Sequence, residues 1–327
     1  MKVAEIENEI IVIKNREHEK LNGRKGAIVK VLGCGLCGSD IVKLKQHLAK
    51  NGTVLGHEIV ASIVDIDSET DFKAGDVIVT SHHIPCGKCE YCKNGNVSMC
   101  RHFKETNIKP GGFSEFVFVS EEHLKNVAYL KPKNLTNAEA AFYEPLGCCV
   151  RAVKRAALRQ NATALVIGLG SIGILMAQAL KAAGMKVIGC DLIASRIELL
   201  KNLGIEAFNV LDMCESIKAD GVFMTSGSDK AIDTALKYVR DGGKILVFSS
   251  TPKNSGYANN EIYYRELTVM GSYSPSPADL KDSLKLLADK EVKVSGLSTE
   301  YPLDKVQKAI NDTLENKIMK AYINICG

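Results

Sequence analysis

The second half of the chain alternates short apolar runs with helical segments, and this pattern restricts the fold more than any other feature. Apolar runs occur at 164–168, 186–191, 204–208, 221–225, 244–249 and 267–270, with helical periodicity at 172–183, 195–202 and 229–239. Strands that alternate with helices of roughly 10–15 residues form a parallel sheet. We therefore predict a doubly wound α/β domain in this region.

A glycine-rich turn connects the first of these strands to the first helix. Its residues are Gly168, Leu169, Gly170, Ser171, Ile172 and Gly173, which match the pattern G-x-G-x-x-G. The glycines allow a tight turn, approach of the backbone to a pyrophosphate, and close packing of helix on strand. A turn without a ligand is the alternative, and the position between strand and helix argues against it. The turn predicts a dinucleotide site.

Asp191 ends the second strand, 18 residues after Gly173. A carboxylate there accepts hydrogen bonds from the ribose hydroxyls and repels a 2′-phosphate, which predicts NAD as the cofactor in preference to NADP. Arg196 follows closely and could soften this preference, since a guanidinium attracts phosphate.

The first 145 residues contain several short strand-like runs, and we predict no helices between them. Runs at 27–32, 58–66, 76–80 and 113–119 predict a small barrel or sandwich. After Gly271, a serine- and proline-rich linker leads to two amphipathic helices and a closing strand at 321–326. A segment of about fifty residues rarely forms its own core, so we expect it to pack on another domain.

Four cysteines lie close together at Cys86, Cys89, Cys92 and Cys100. Four thiolates at this spacing can surround one tetrahedral Zn²⁺ and leave no open position, which makes a structural site. Disulfides or free thiols are the alternatives. The eleven cysteines of the chain, with no apolar signal segment at its start, indicate a reducing cytoplasm. We therefore predict a structural zinc ion.

A second set of possible metal ligands lies elsewhere in the first half. A catalytic zinc keeps about three protein ligands and one open position. Cys37 and His57 offer a thiolate and an imidazole, and Glu58 and Glu144 are candidate carboxylates. Residue types alone do not decide whether a metal binds here, because Cys34 is a competing thiol and a single cysteine is usually just buried.

These motifs, in their order along the chain, resemble the zinc-dependent medium-chain alcohol dehydrogenases, in the sorbitol (polyol) and threonine dehydrogenase branch. Besides the cysteine loop and the glycine turn with Asp191, the matching stretches are GLCGSD at 35–40, GHE at 56–58, AGDV at 74–77, GGFSE at 111–115, EPL at 144–146 and GGKI at 242–245. The resemblance implies a GroES-like β-barrel catalytic domain at 1–145, a Rossmann domain at 146–275, and residues 276–327 completing the catalytic domain.

The resemblance also implies a function and roles for single residues. It predicts an enzyme that transfers hydride between a secondary alcohol or polyol and NAD, with two zinc ions per subunit, as a homodimer or homotetramer. The residues implied for the catalytic zinc are Cys37, His57, and Glu58 or Glu144. Ser39 is expected to take the substrate's proton, and Asp40 is expected to orient His57.

Two departures from the family pattern bear on proton exit and substrate. Members often carry a histidine five residues after the zinc cysteine, where this chain has Val42, and His47 is not expected to replace it. Only 20 residues separate Cys37 from His57, which argues against sorbitol. The substrate pocket is expected to come from Leu44–Leu55, Lys104–Pro110 and Tyr257–Tyr264.

Three other functions are alternatives. The first is a zinc-free enoyl or quinone reductase, which would lack the cysteine loop. The second is a redox sensor that binds zinc and NAD without turnover, for which Cys148 and Cys149 are candidate thiols. The third is a threonine-type amino-alcohol dehydrogenase. The net charge of +4 is spread along the chain, and no apolar run reaches ~18 residues. We therefore predict that the protein binds neither nucleic acid nor a membrane.

Overall fold

The computed structural model describes residues 1–250 and 259–326, which form two compact units. The first unit comprises Met1–Pro145, Ser276–Ala288 and the chain from Val294 onwards, and the second comprises Leu146–Pro275 and Asp289–Lys293. Most of the C-terminal segment therefore belongs to the unit that the N-terminal residues form. The five residues 289–293 lie in the second unit, whereas the division made from the sequence groups them with the C-terminal segment.

The strands and helices are numbered along the chain. The strands of the described residues are β1 (Lys2–Glu7), β2 (Ile10–Asn15), β3 (Gly26–Gly35), β4 (Glu58–Asp67), β5 (Val77–Thr80), β6 (Phe116–Ser120), β7 (Ala128–Leu130), β8 (Thr163–Ile167), β9 (Lys186–Asp191), β10 (Glu206–Asn209), β11 (Ala219–Met224), β12 (Val239–Val247), β13 (Thr268–Gly271), β14 (Ser298–Pro302) and β15 (Lys320–Asn324). The α-helices are α1 (Gly38–Lys45), α2 (Glu90–Lys93), α3 (Arg101–Glu105), α4 (Glu121–Asn126), α5 (Asn137–Ala140), α6 (Tyr143–Ala156), α7 (Ser171–Ala182), α8 (Ala194–Asn202), α9 (Lys230–Tyr238), α10 (Asn259–Tyr264), α11 (Pro277–Ala288) and α12 (Val306–Leu314). Within the part of the chain that is described, no helix combines the length and the apolar character needed to cross a membrane.

A seven-stranded sheet lies at the centre of the first unit. Its order is β14-β15-β3-β4-β5-β7, with β6 also paired to β3, and β1 and β2 form a separate hairpin. Neighbouring strands are antiparallel except for β14 and β15. Val29, Ile59 and Ile78 of this sheet are buried in one core with Ile310 of α12 and Ile323 of β15. The C-terminal residues thus share the hydrophobic core of the N-terminal ones.

Six parallel strands form the sheet of the second unit, in the order β10-β9-β8-β11-β12-β13. Counted within the unit, this is the 3-2-1-4-5-6 order of dinucleotide-binding folds. The glycine turn follows β8, which lies where the strand order reverses, and such sheets bind their ligands at this point. The predicted doubly wound parallel sheet is confirmed.

Strand β3 is longer than the sequence pattern indicates. The predicted strand covers 27–32, but β3 continues to Gly35 because its end pairs with β4 and β15. A Cβ atom at Gly33 would lie 1.9 Å from the hydroxyl of Tyr322, and one at Gly35 would lie 1.9 Å from Oε2 of Glu58. Close packing, and not a turn, therefore requires glycine at both positions.

Other elements also differ from the prediction. The sequence analysis did not identify the β1–β2 hairpin or β14, and β12 begins at Val239 and not at Lys244. The pair Gly242-Gly243 normally weakens a strand, and it marks an irregularity in β12: Gly242 has a φ of +66°, and the register with β11 shifts between Val239 and Lys244. Of the predicted pocket segment 257–264, Tyr257 and Ala258 lie outside the described residues.

Candidate metal and nucleotide sites

The four cysteines of the loop at 86–100 converge. Their sulfur atoms lie within 4.8 Å of one another, with 3.6 Å between Cys89 and Cys92 and 4.0 Å between Cys86 and Cys92. A tetrahedral zinc ion with Zn–S bonds of about 2.3 Å requires sulfur atoms about 3.8 Å apart. A disulfide requires about 2.05 Å, and none of the eleven cysteines, all within the described residues, forms one. The donor set fits zinc.

Backbone turns and helix starts hold this loop in shape. Gly87 and Gly95 have φ values of +72° and +74°, a conformation that glycine adopts freely. Helix α2 begins directly after Cys89, and α3 begins directly after Cys100. The sulfur atoms therefore lie at chain reversals, which lets one short loop surround a single ion.

The electrostatics of the loop also favour a bound cation. Burial opposes the thiolate of Cys100, but hydrogen bonds from the backbone N–H groups of Cys86 and Phe103 lower its pKa to about 6. Burial and the neighbouring cysteines raise the pKa of Cys92 to about 12. A bound cation would favour the thiolate of Cys92, because it offsets the negative charge of the neighbouring sulfur atoms.

Replacing Cys89 by serine is expected to remove one zinc ion per chain and to lower the free energy of unfolding by several kcal/mol. The reason is that the binding free energy of a structural zinc contributes directly to folding. Zinc analysis and the thermal unfolding midpoint measure both effects. Cys214→Ser, at an exposed thiol of the second unit, is the control and should change neither. Unchanged zinc content in Cys89→Ser would contradict the assignment.

The pairing of β3 with β4 brings the second set of metal-binding residues together. Gly35 lies opposite Glu58 in this antiparallel pair, so the residues that follow β3 are adjacent to those that precede β4. The sulfur of Cys37, an imidazole nitrogen of His57 and a carboxylate oxygen of Glu58 lie within 4.8 Å of one another. This cluster does not include Cys34, whose Sγ lies 3.4 Å from the carbonyl of Gly35. Burial raises the pKa of the Cys34 thiol well above its ordinary value, so the structure favours Cys37 over Cys34.

Asp40 connects the ring of His57 to the backbone around it. Its Oδ1 is 3.4 Å from Nδ1 of His57 and accepts a hydrogen bond from the N–H of Gly56, and its Oδ2 accepts one from the N–H of Cys37. Burial disfavours both charges, but their attraction lowers the pKa of Asp40 and raises that of His57 well above its ordinary value. Asp40 therefore leaves Nε2 of His57 as the nitrogen for a metal, which is the geometry that its predicted orienting role requires.

Lys320 of β15 forms a buried ion pair with Glu58. Its Nζ lies 2.6 Å from Oε2, donates a hydrogen bond to Oε1 at 2.9 Å, and donates another to the carbonyl of Leu36. Burial alone would lower the pKa of Lys320, but Glu58 raises it above its ordinary value, so the lysine is charged. Lys320 was not predicted from the sequence. A lysine directly before the predicted apolar strand could have indicated a buried ion pair, because buried cations require partners.

His57 also belongs to a second cluster of ligands. One nitrogen each of His57 and His82 and a carboxylate oxygen of Glu144 lie within 4.8 Å of one another, and all three residues are buried. Burial lowers the pKa of His82 well below its ordinary value, so its imidazole is neutral. His82 was not predicted from the sequence, although the pair His82-His83 directly before the cysteine loop could have indicated it. The candidate carboxylates Glu58 and Glu144 thus occur in different clusters that share His57.

The other predicted residues of the first unit lie near the surface. Ser39 is exposed in the first turn of α1, where its N–H donates to Sγ of Cys37 at 3.4 Å. His47 pairs with Glu9 at 3.0 Å on the surface, which agrees with the expectation that it does not replace the missing histidine near Val42.

A cavity of about 320 Å³ is lined by His57 and His82 together with residues of the predicted pocket segments 44–55 and 104–110. A cavity of about 610 Å³ in the second unit is larger but contains none of the predicted site residues. The smaller cavity is therefore the candidate substrate pocket, because it is the one that adjoins the possible metal ligands.

The glycine turn has the geometry that a dinucleotide site needs. Gly168 has a φ of +90°, and a Cβ at Gly173 would lie 1.9 Å from the carbonyl oxygen of Gly168. A Cβ at Gly170 would meet no protein atom within 4 Å, so open space beside it can admit a pyrophosphate. Helix α7 begins at Ser171, continues through Ile172, and has no side-chain cap, which leaves its first N–H groups for phosphate oxygens.

Asp191 supports this turn and faces Arg196. Its Oδ2 accepts a hydrogen bond from the N–H of Leu169 at 2.6 Å, and its Oδ1 accepts bonds from Leu192 and Ile193. Nη1 of Arg196 lies 3.7 Å from Oδ2. The structure therefore places the predicted cofactor residues around the end of β8 and the end of β9.

Two family models match the chain. Residues 23–129 match an alcohol dehydrogenase GroES-like domain, and residues 171–289 match a zinc-binding dehydrogenase. A sorbitol dehydrogenase from Halalkalibacterium halodurans is 30% identical over 324 residues, which cover 93% of each protein. A D-arabitol-phosphate dehydrogenase from Enterococcus avium is 30% identical over 318 residues, which cover 90% of this chain and 89% of the relative.

A solved structure has the same fold. A chain described as a zinc-binding dehydrogenase from Sinorhizobium meliloti, bound to NADP, matches with a TM-score of 0.88 at 24% identity over 99% of both chains. This likeness, with the family models, confirms the predicted GroES-like domain and Rossmann-type sheet. Since two relatives at 30% identity cover nearly the whole sequence, the chain belongs to the zinc-dependent medium-chain alcohol dehydrogenase family, in its polyol dehydrogenase branch.

Proposed function

We propose that this protein oxidises a secondary alcohol group of a polyol or polyol phosphate with NAD⁺ and reduces the matching ketone in the reverse direction. The observation that carries the proposal is the cluster of Cys37, His57 and Glu58. Three such ligands leave a tetrahedral zinc ion one position for substrate or water. The relatives named for sorbitol and D-arabitol phosphate support a polyol substrate.

The chain's own residues provide the rest of the proposed site. Zinc bound here supplies Lewis acidity, which lowers the pKa of an alcohol hydroxyl. Ser39, exposed two residues after Cys37, accepts the hydroxyl proton in this proposal. Lys320 holds Glu58 through the buried ion pair. Glu58 and Glu144 are alternative third ligands, since each lies in a cluster with His57.

A second zinc ion belongs in the four-cysteine loop in this proposal. The closed donor set gives it no position for substrate, so its role is structural. The homodimer or homotetramer and the cytoplasmic location remain predictions from the resemblance and the cysteine content. Sedimentation of the purified protein measures whether it is a dimer or a tetramer.

The test of the function is NAD⁺ reduction across a panel of polyols, polyol phosphates, threonine and simple secondary alcohols. We expect turnover with at least one polyol, loss of turnover on chelation, and recovery when Zn²⁺ is returned. Full activity in a metal-free preparation would refute the zinc mechanism. Tight NADH binding without turnover of any alcohol would favour the redox sensor instead.

Replacing Asp191 by serine is expected to shift the cofactor preference from NAD⁺ towards NADP⁺. Removing the carboxylate removes its repulsion of a 2′-phosphate and leaves the Arg196 guanidinium to attract one. The ratio of kcat/KM for NAD⁺ to that for NADP⁺ should fall at least about tenfold, which corresponds to about 1.4 kcal/mol. Glu198→Ser, on the exposed side of α8, is the control and should leave the ratio unchanged. A wild-type protein that already prefers NADP⁺ would contradict the assignment.

A further inference from the structure

His82 has no part in the proposed function, yet it is buried beside the proposed metal ligands. It is 8% exposed, its ring centroid lies 4.4 Å from that of His57, and its Nδ1 has no hydrogen-bond partner among the described residues. A buried polar group without a partner costs about 1–3 kcal/mol. A metal ion is a suitable partner, because neutral imidazole nitrogen is a common zinc ligand.

Neighbouring residues hold His82 in place. Its carbonyl oxygen is 3.1 Å from Nε2 of His123, and its ring packs on that of His83 with 3.8 Å between centroids. The ring of His83 is itself fixed, because its Nδ1 lies 2.5 Å from the carbonyl oxygen of Thr106. Contacts to its backbone and to its face therefore orient the ring of His82 before any ion binds. Outer partners of metal ligands generally have this effect.

We propose that His82 is a ligand of the catalytic metal, so that one ion has two alternative ligand sets. This inference rests on the proposed function, since it concerns the same ion. The sets are Cys37, His57 and Glu58, and His57, His82 and Glu144. Nδ1 of His57 faces Asp40, so a single nitrogen of His57 serves both sets and an ion occupies one of them at a time.

The two sets differ in chemistry. The first contains a soft thiolate, and the second contains only nitrogen and oxygen donors. Ligands of the second kind suit Co²⁺, Ni²⁺ and Mn²⁺ as well as Zn²⁺, whereas thiolate favours softer ions. His82 therefore broadens the range of ions that the site accepts and gives the ion a position away from the thiolate of Cys37.

The test uses the intact protein with Co²⁺ in the exchangeable site and zinc kept in the four-cysteine loop. Proton NMR counts the hyperfine-shifted imidazole N–H resonances, and absorption measures the thiolate-to-cobalt charge-transfer band. We expect two imidazole resonances in the wild type and one in His82→Gln, with a stronger band per bound Co²⁺ in the variant. Co²⁺ affinity should fall at least about tenfold, since even outer partners of metal ligands contribute that much.

His102→Gln is the matched control, because it removes another imidazole of the first unit that pairs with Glu122 outside both ligand sets, and it should keep two resonances. A single imidazole resonance in the wild type, with normal turnover, would overturn the inference and leave the proposed function intact. A wild type that takes up no metal beyond the cysteine loop would overturn both. If His82→Gln fails to fold, the number of imidazole resonances in the wild type still tests the inference, because two support it and one contradicts it.

Discussion

Replacing Cys37 by alanine is expected to lower kcat/KM by at least about a thousandfold, since Lewis-acid stabilisation is worth several kcal/mol and each 1.36 kcal/mol is tenfold. The variant should fold, because Cys37 lies directly before the first residue of α1 and only the cap that its Sγ provides to the N–H of Ser39 is lost. Such caps contribute about 1 kcal/mol. The measurement is steady-state turnover with the polyol that the panel identifies, alongside zinc content and thermal unfolding.

Cys34→Ala is the control for this experiment. It removes a thiol three residues earlier that lies outside the ligand cluster. This variant should lose stability, because Cys34 is completely buried, yet keep two zinc ions per chain and its turnover. Loss of metal from Cys34→Ala, with normal turnover in Cys37→Ala, would show that the wrong thiol was assigned.

With the proposed catalytic site free of metal, replacing Lys320 by methionine is expected to lower the free energy of unfolding by about 3–5 kcal/mol, because it leaves the Glu58 carboxylate buried without its partner. The side chains of Lys320 and Glu58 are 6% and 0% exposed, so water cannot replace the ammonium. Equilibrium unfolding in urea measures the loss. Adding Glu58→Gln should recover much of it, because the double variant contains no unpaired charge.

Lys317→Met provides a matched control three residues earlier. Lys317 is 63% exposed and pairs with Glu315 on the surface, so its replacement should change the free energy of unfolding by less than about 1 kcal/mol. Equal stability of Lys320→Met and the wild type would mean that the ion pair does not hold the Glu58 charge in place.

Local patterns in the sequence predicted most of the second unit. The observed bounds of β9 (Lys186–Asp191) are those predicted, and α8 begins one residue earlier than expected. These elements are short, regular and bounded by turn residues, so their periodicity is visible without any partner. Strand β14 and the first part of β12 were not recognisable, because proline and glycine are depleted in strand interiors, and these strands contain Pro302 and the pair Gly242-Gly243.

By itself, the sequence predicted which residues bind metal and cofactor. The four cysteines lie within 15 consecutive residues, and the glycine turn is a single loop, so spacing alone indicates their chemistry. Only the tertiary structure placed Cys37 and not Cys34 in a cluster of possible ligands, and only it revealed Lys320 and His82. Lys320 and Glu58 are 262 positions apart and meet because β15 and β4 both pair with β3. Such contacts depend on strand register, in which a shift of one residue turns every side chain to the opposite face.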